Sequence, residues 1–257
     1  MKPSVSFIIP VYNGEKCIAQ AISSALSQNY AQFDVIVVND GSKDQTLDVV
    51  SSIKDERLKV VDLENNKGRS SARNMGVQSS NADYIAFLDA DDQIDPRKLT
   101  LQMDYILQNK LDICGTWGHA IIKKKKILFK HPVDDKTIKS RIIKSHTFIH
   151  SSIIMRRSLF LSSDGYDKEL SFSEDYDLFL RLVPISICGN MPIPTVEYVT
   201  PIGISYAFRE QVAIAKIRLR AILNYGYGLH NLLYVFTPIV SFFIPRNLKI
   251  ILKKIIN

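Results

Sequence analysis

The sequence predicts an α/β protein: a mostly parallel central sheet flanked by helices. Three observations carry this. Short, β-rich, almost wholly apolar runs recur, as strands buried on both faces require. Each of the first four is followed by a turn signal and a helix-period pattern, the alternation that makes right-handed parallel crossovers. Of the 257 residues, 46% are hydrophobic, enough for a sizeable core.

Val5-Ser6-Phe7-Ile8-Ile9-Pro10-Val11-Tyr12 is the first strand, ended by the turn signal Asn13-Gly14. Ile18, Ile22, Ala25 and Leu26 supply the apolar face of a helix over Glu15 to Gln28. Phe33 to Asp40 repeats the buried-strand pattern and stops at Gly41-Ser42, and a helix follows from Asp44 to Ile53. Leu58 to Leu63 is the third strand, and Asn65-Asn66-Lys67-Gly68 turns into a helix from Arg69 to Gln78. The fourth strand, Tyr84 to Leu88, ends in Asp89-Ala90-Asp91-Asp92. Next come a helix over Pro96 to Gln108, with proline in its first turn, and a strand over Asp112 to Ile122. Lys123 to Lys126 has the character of a solvated hairpin tip. Beyond it the alternation breaks down into a mixed half. That half holds a strand at Ser152 to Arg156, a turn at Asp164-Gly165-Tyr166-Asp167 and a helix from Glu174 to Leu182, placed for capping by Ser173.

Net charge is +7, and its distribution is informative. From Ala207 onward there are eight basic residues (Arg209, Lys216, Arg218, Arg220, Arg246, Lys249, Lys253, Lys254) and one acid, Glu210, leaving 25 of each sign in 1–206. A nucleic-acid footprint over the body is therefore not expected. Residues 1–206 form one predicted domain and 207–257 a basic, apolar helical tail. Ile204 to Tyr225 has an amphipathic helical pattern; Leu232 to Ile244 is uncharged but too short to span a bilayer. In Arg246 to Asn257, Leu248, Ile251, Leu252 and Ile255 share one helical face apart from the basic residues. The tail predicts a membrane-surface contact, with packing on the body or an oligomer contact as the alternative. Cys17, Cys114 and Cys188 form no CxxC or Cys/His cluster, and Met1 to Ser6 lacks the features of a signal peptide. A reducing, cytoplasmic setting without disulfides or zinc is expected.

In an open α/β sheet, ligands bind outside the carboxyl ends of the strands, so four polar segments are expected at one cleft. Asp89, Asp91 and Asp92 repel one another unless a cation or hydrogen-bond donors offset them. Hard divalent cations use a few carboxylates plus phosphate oxygens, whereas solvated acids also cap helices. Tyr12 offers a ring for a base, although Pro10 to Asn13 also makes an ordinary strand-to-helix turn. Asp40 suits either a uracil-type imide N–H or a helix cap. Asn66 and Gly68 open a helix whose N-terminus suits an anion, and Arg73 suits a diphosphate or a neighbouring Asp.

Pro10-Val11-Tyr12-Asn13, Asn39-Asp40-Gly41-Ser42, Gly68 with Ala72-Arg73-Asn74 and Gly76, and Asp89-Ala90-Asp91-Asp92, in this order and spacing, resemble the family 2 glycosyltransferases over roughly residues 4–185. The resemblance implies the GT-A fold, a nucleoside diphosphate sugar donor (UDP preferred) and transfer with inversion. It implies donor binding by Pro10, Tyr12, Asn13, Asp40, Asn66, Gly68, Arg73, Asp89, Ala90 and Asp91. It implies Mn²⁺ or Mg²⁺ held chiefly by Asp91, with Asp89 on the ribose or the metal. It makes Asp175 the catalytic base, in Ser173-Glu174-Asp175-Tyr176-Asp177, with Glu174 orienting it or binding acceptor. A carboxylate at a helix N-terminus is held ionised, as a base must be, although first-turn capping uses the same residues. One of His146 and His150 could face the donor or acceptor site and Trp117 could stack on a sugar, with a structural role as the simpler reading of all three. The expected acceptor is a lipid-linked saccharide in bacterial surface-polysaccharide (O-antigen, capsule or LPS) synthesis, on the inner face of the cell membrane. The competing reading is an inactive membrane-associated scaffold that keeps the nucleotide-sugar fold. A dinucleotide oxidoreductase is excluded, because Pro10 to Glu15 is not G-x-G-x-x-G.

Overall fold

A computed structural model describes residues 2–122, 125–199 and 208–243. The chain runs β1 (Val5–Val11), α1 (Ile18–Leu26), β2 (Phe33–Asn39), α2 (Thr46–Ser52), β3 (Leu58–Asp62), α3 (Arg69–Gln78), β4 (Tyr84–Phe87), β5 (Gln93–Ile94), α4 (Lys98–Asn109), β6 (Ile113–Ile122) and β7 (Lys125–Phe129). It continues through α5 (Asp135–Arg141), β8 (Ile154–Arg156), α6 (Arg157–Leu161), α7 (Glu174–Leu182), β9 (Cys188–Val199), α8 (Phe208–Asn224) and α9 (Leu233–Phe243). All strands join one sheet of order β3-β2-β1-β4-β8-β6-β9-β5, with β7 paired to β6. The first four neighbours are parallel, as the apolar runs predict. Past β4 the sheet is mixed: β8 runs antiparallel to β4 and β6, while β6 and β9 are parallel.

The helices lie on both faces because every residue of β4, and all but Pro10 in β1, is buried. Gly76 permits the close approach of α3 to the sheet: a Cβ there would stand 2.5 Å from Ile8 Cγ2. β9 breaks the sequence rule that proline ends a strand. Its Pro192 and Pro194 fall where the pairing with β6 slips between Thr116 and Gly118, so the missing N–H groups cost no ladder bond. β6 and β7 pair from Ile122 opposite Lys125, so Lys125 and Lys126 of the expected hairpin tip belong to β7, while Lys123 and Lys124 lie outside the described residues.

The tail divides. α8 packs on the body rather than standing apart: Ala215, Ile217, Ala221 and Ile222 join the core cluster. Arg218, only 6% exposed, donates to Tyr176 Oη and to the carbonyls of Lys144 and Tyr234. Arg220 pairs with Asp167 and Asp177. Two of the four cations expected on a membrane-facing helix therefore fasten it to the body. A cut ahead of Ala207 would uncover this apolar face. The amphipathic pattern over Arg246 to Asn257 lies outside the described residues. Among the described residues, no helix is long and apolar enough to cross a membrane.

Lys98, at the start of α4, is wholly buried over the Phe7 ring, and its ammonium has no hydrogen-bond partner among the described residues. Burial pushes its pKa down to about 7, slightly offset by Cys114. The unfolded chain then binds more protons than the folded one between about pH 7 and the ordinary lysine value, so this group makes stability rise with pH across that window. Lys98→Met is expected to raise stability by about 1–3 kcal/mol at pH 6, measured by urea unfolding. A loss of stability would show that the amine has a partner.

Candidate active site

The first two strand-end turns are braced against each other. Asn13, at φ 52°, donates its N–H to Ser42 Oγ and accepts from Lys43 N–H at 2.8 Å. Gly14 N–H reaches Thr46 Oγ1, and Glu15 accepts from Gln45 N–H. Capping of α2 falls to Asp44, which accepts from Thr46 N–H, and not to Asp40. Asp40 is buried at the end of β2, where one carboxylate oxygen accepts from Lys67 N–H at 2.8 Å and holds the Asn65-to-Gly68 turn in place. Gly41, at φ +67°, is required there: a Cβ would lie 2.5 Å from the Asn65 carbonyl carbon.

These turns and the acidic loop after β4 enclose a cleft of 690 Å³. All ten residues expected to bind a nucleotide sugar line it: Pro10, Tyr12, Asn13, Asp40, Asn66, Gly68, Arg73, Asp89, Ala90 and Asp91. Tyr12 is 49% exposed there, leaving ring surface free for stacking. Cys17, Arg69, Tyr198 and Val199 also line the cleft and carried no sequence signal. The last two are the end of β9, which the prolines conceal.

Arg73 is the centre of the charge arrangement. Its side chain, 6% exposed, donates to Asp89 Oδ1 and Glu174 Oε1, each at 2.7 Å, and lies over the Tyr166 ring. Arg69 reaches the same Glu174 oxygen at 2.9 Å. Glu174 is therefore bound up in two ion pairs, and neither it nor Asp175 lines the cleft proper. Asp175 is the next residue on α7 and accepts from Tyr176 N–H. Burial would raise its pKa, but His146, His150 and Arg73 outweigh burial and hold the carboxyl below its ordinary value. Ser173 departs from its expected role. It sits in the left-handed region at φ 56° and makes no side-chain capping bond, leaving the first turn of α7 to its own acids.

The three acids of the β4 loop are not equivalent. Burial works against the charge of Asp89, but Arg73 and His150 keep it ionised, with its pKa well below the usual range. Asp91 is exposed in the cleft; burial first, then the Asp89 charge, raise its pKa. Asp92 is 6% exposed and pushed up to about 8, by burial and then by Asp89, against the hydrogen bond from Ser151. Ser151 ties the loop at both ends, accepting from Asp89 N–H at 3.1 Å and donating to Asp92. His150 stacks on Phe87, meets Tyr166 Oη at 2.8 Å and lies 3.4 Å from Asp89. Both residues belong to the site: His150 is one of the two histidines that the sequence allowed to face it, whereas Ser151 lies in a Ser-Ser pair that gave no pattern. Ser151→Ala is expected to cost about 1–3 kcal/mol by orphaning a buried N–H and a buried carboxyl. An unchanged melting temperature would show that the loop does not depend on it.

Among the described residues, no three His, Cys, Asp or Glu gather closely enough to hold an ion unaided. The donor set is the exposed Asp91 beside an Asp89 already shared with Arg73. That set fits a hard divalent cation drawing most of its coordination from phosphate oxygens and water. Tyr198 and Asp92 do not add to it, being respectively a phenol and a carboxyl turned to Ser151.

Solved structures share this architecture. S. aureus TarS residues 1–349 superposes with a TM-score of 0.74 at 24% identity, covering 93% of this chain and 72% of that one. The same protein in complex with UDP-GlcNAc gives 0.74 at 23% identity. The architecture is the GT-A fold, an α/β sheet with flanking helices. The model for "Glycosyl transferase family 2" matches residues 6–162, and the chain belongs to that family. An uncharacterized glycosyltransferase of Rickettsia typhi is 34% identical over 194 residues, 72% of this chain and 60% of that protein. The Escherichia coli UDP-Glc:alpha-D-GlcNAc-diphosphoundecaprenol beta-1,3-glucosyltransferase WfgD is 31% identical over 179 residues, 70% and 69% of the two chains. The match spans only 44% of a Haemophilus influenzae glycosyltransferase, as it spans 60% of the Rickettsia protein.

Proposed function

We propose that this protein is an inverting glycosyltransferase. It moves a sugar from a nucleoside diphosphate sugar, with a UDP-sugar preferred, to a hydroxyl of a lipid-linked saccharide during bacterial surface-polysaccharide synthesis. The observation that carries this reading is a single cleft lined by all ten donor-binding candidates, with Arg73 joining Asp89 to the Glu174 beside Asp175. Its 690 Å³ is of the size that takes such a ligand. The WfgD relative, whose name specifies UDP-glucose and a diphosphoundecaprenol-linked acceptor, supports the donor and acceptor classes.

In this reading Tyr12 stacks on the base and the second oxygen of Asp40 accepts its imide N–H. Arg73 fixes Asp89 at the ribose side and adds positive charge near the diphosphate. Mn²⁺ or Mg²⁺, held by Asp91 with Asp89, would neutralise the charge that leaves on the nucleoside diphosphate. Asp175 takes the proton of the acceptor hydroxyl as its oxygen bonds to the anomeric carbon. The bond from that carbon to the diphosphate oxygen breaks on the opposite face, so one displacement gives one inversion and no enzyme nucleophile is needed. The enzyme works at the inner membrane surface, to which α9 and the residues beyond it attach it peripherally.

A thermal-shift panel of nucleotide sugars, with and without Mn²⁺, tests the reading. At a hundred times its dissociation constant a ligand adds about 2.7 kcal/mol, which for a chain of this size raises Tm by roughly 5–10 °C. A UDP-sugar is expected to give that shift, with a further increment from Mn²⁺ that Asp91→Asn removes. A panel in which no nucleotide sugar moves Tm overturns the proposal.

A further inference from the structure

A second cavity, of 510 Å³, lies between the body and the C-terminal helices and shares no residue with the donor cleft. Lys139 and Lys144 enter it from α5 and the segment after it. Tyr225, Tyr227, His230 and Tyr234 enter from the turn between α8 and α9 and from α9 itself. No Asp or Glu lines it. Lys139 leans on Asp135 at 2.9 Å, but Lys144 has no carboxylate partner among the described residues and lies 5.0 Å over the Tyr234 ring. With Lys144 free of a carboxylate among the described residues, Lys139 shared with Asp135 and the Tyr227 hydroxyl given to the Leu180 carbonyl, the cavity suits an oxyanion better than a cation.

The cavity adjoins a second unexplained feature. Leu229, Leu233, Phe236, Val240 and Phe243, spaced four, three, four and three residues apart, are exposed by 67%, 74%, 60%, 56% and 70%. They form one apolar stripe on a segment whose helix, α9, has no charged side chain. Among the described residues no helix is long and apolar enough to cross a membrane, and a stripe of this kind suits a helix that lies along a membrane surface. Tyrosines belong at headgroup depth, between such a stripe and the lysines.

We propose that the 510 Å³ cavity binds the phosphate of an anionic lipid headgroup while the α9 stripe rests among the acyl chains. Lys144 and Lys139 receive the phosphate oxygens, and the tyrosine rings flank the glycerol region. The proposal rests on the membrane-surface reading given above and makes it specific: attachment needs a lipid whose negative charge is a headgroup phosphate, not merely negative charge.

Flotation of the full chain with phosphatidylcholine vesicles containing phosphatidylglycerol tests this. Lys144→Gln, and more so Lys139→Gln with Lys144→Gln, is expected to weaken binding about tenfold. Lys136→Gln, on α5 but outside the cavity, is expected to leave it unchanged. Vesicles brought to the same charge with a fatty acid are expected to bind less well. Leu233→Ser with Phe236→Ser is expected to abolish binding to all vesicles. If Lys144→Gln and Lys136→Gln behave alike, or fatty-acid vesicles bind equally well, the headgroup site is overturned while membrane attachment stands. If the wild type ignores anionic vesicles, both readings fall. If the serine variant instead breaks a dimer in solution and leaves flotation unchanged, the stripe is a contact between copies and the proposal is overturned.

Discussion

Replacing Asp175 with Asn is expected to leave nucleotide-sugar binding intact and to slow transfer by about 10²–10⁴-fold, the contribution of a positioned general base. The two carboxamide-for-carboxylate effects separate cleanly. Asp175 is not a cleft-lining residue, so donor affinity measured by thermal shift should hold. Its carboxylate is the one acid near Arg73 that is not itself committed to an arginine, since Asp89 and Glu174 both are. If Asp175 served only the first turn of α7, the same change would cost a few tenths to about 1 kcal/mol of stability and leave turnover alone. Retained turnover would remove it from the role. The sign of its pKa shift adds a second check. His146, His150 and Arg73 lower it against burial, so the base stays ionised through mild acid. The acidic limb of the rate profile in kcat is therefore expected below the ordinary carboxylate range. A base that had to lose its proton near neutrality would show that limb between pH 5 and 7.

Arg73→Ala is expected to destabilise the protein by about 3–5 kcal/mol, the cost of removing one member of a buried charge network. Asp89 and Glu174 would be left without their arginine, and Glu174 is itself buried, retaining only the half-exposed Arg69. For a chain of this length the loss lowers Tm by roughly 10 °C, readable by calorimetry. Nucleotide-sugar binding should fall with it, because Asp89 then repels Asp91 with only His150 left beside it. Arg73→Lys keeps one charge but cannot fork to two carboxylates, so it is expected to recover stability only in part. If Arg73→Ala melted like the wild type, Arg73 would not be the link between the donor cleft and α7.

The first half of the fold was legible because β1, β2 and β4 are buried on both faces and so consist of little but apolar residues, and β1 and β2 end in turn residues. In the second half α4, β6, β8 and α7 were legible as well, but β5, β7 and β9 were not. β5 has two residues, β9 contains two prolines, and β7 is exposed throughout, so none carries a periodicity that local sequence can announce. The same holds for the site. Asp40, Arg73 and the β4 acids sit at the ends of legible strands or within the helix that follows one. His150, Ser151 and Tyr166 reach the site from irregular segments, and only their contacts place them there. For α8 the alternative reading, packing on the body, holds for a related reason: Arg218 and Arg220 look like a solvated face until Asp167, Asp177 and Tyr176 are brought beside them.

By itself the sequence determined the parallel βαβ half and the ordered motifs at its carboxyl ends, which depend on hydrophobic period and turn chemistry and so are local. The family resemblance that those motifs carry named ten of the residues that line the cleft. Only the tertiary structure decided how the three acids of the β4 loop divide their work. An ion pair with Arg73, exposure in the cleft and burial against Ser151 give Asp89, Asp91 and Asp92 three different charge environments. Such differences arise from desolvation and from partners many residues away in the chain, and no spacing rule within a motif encodes them.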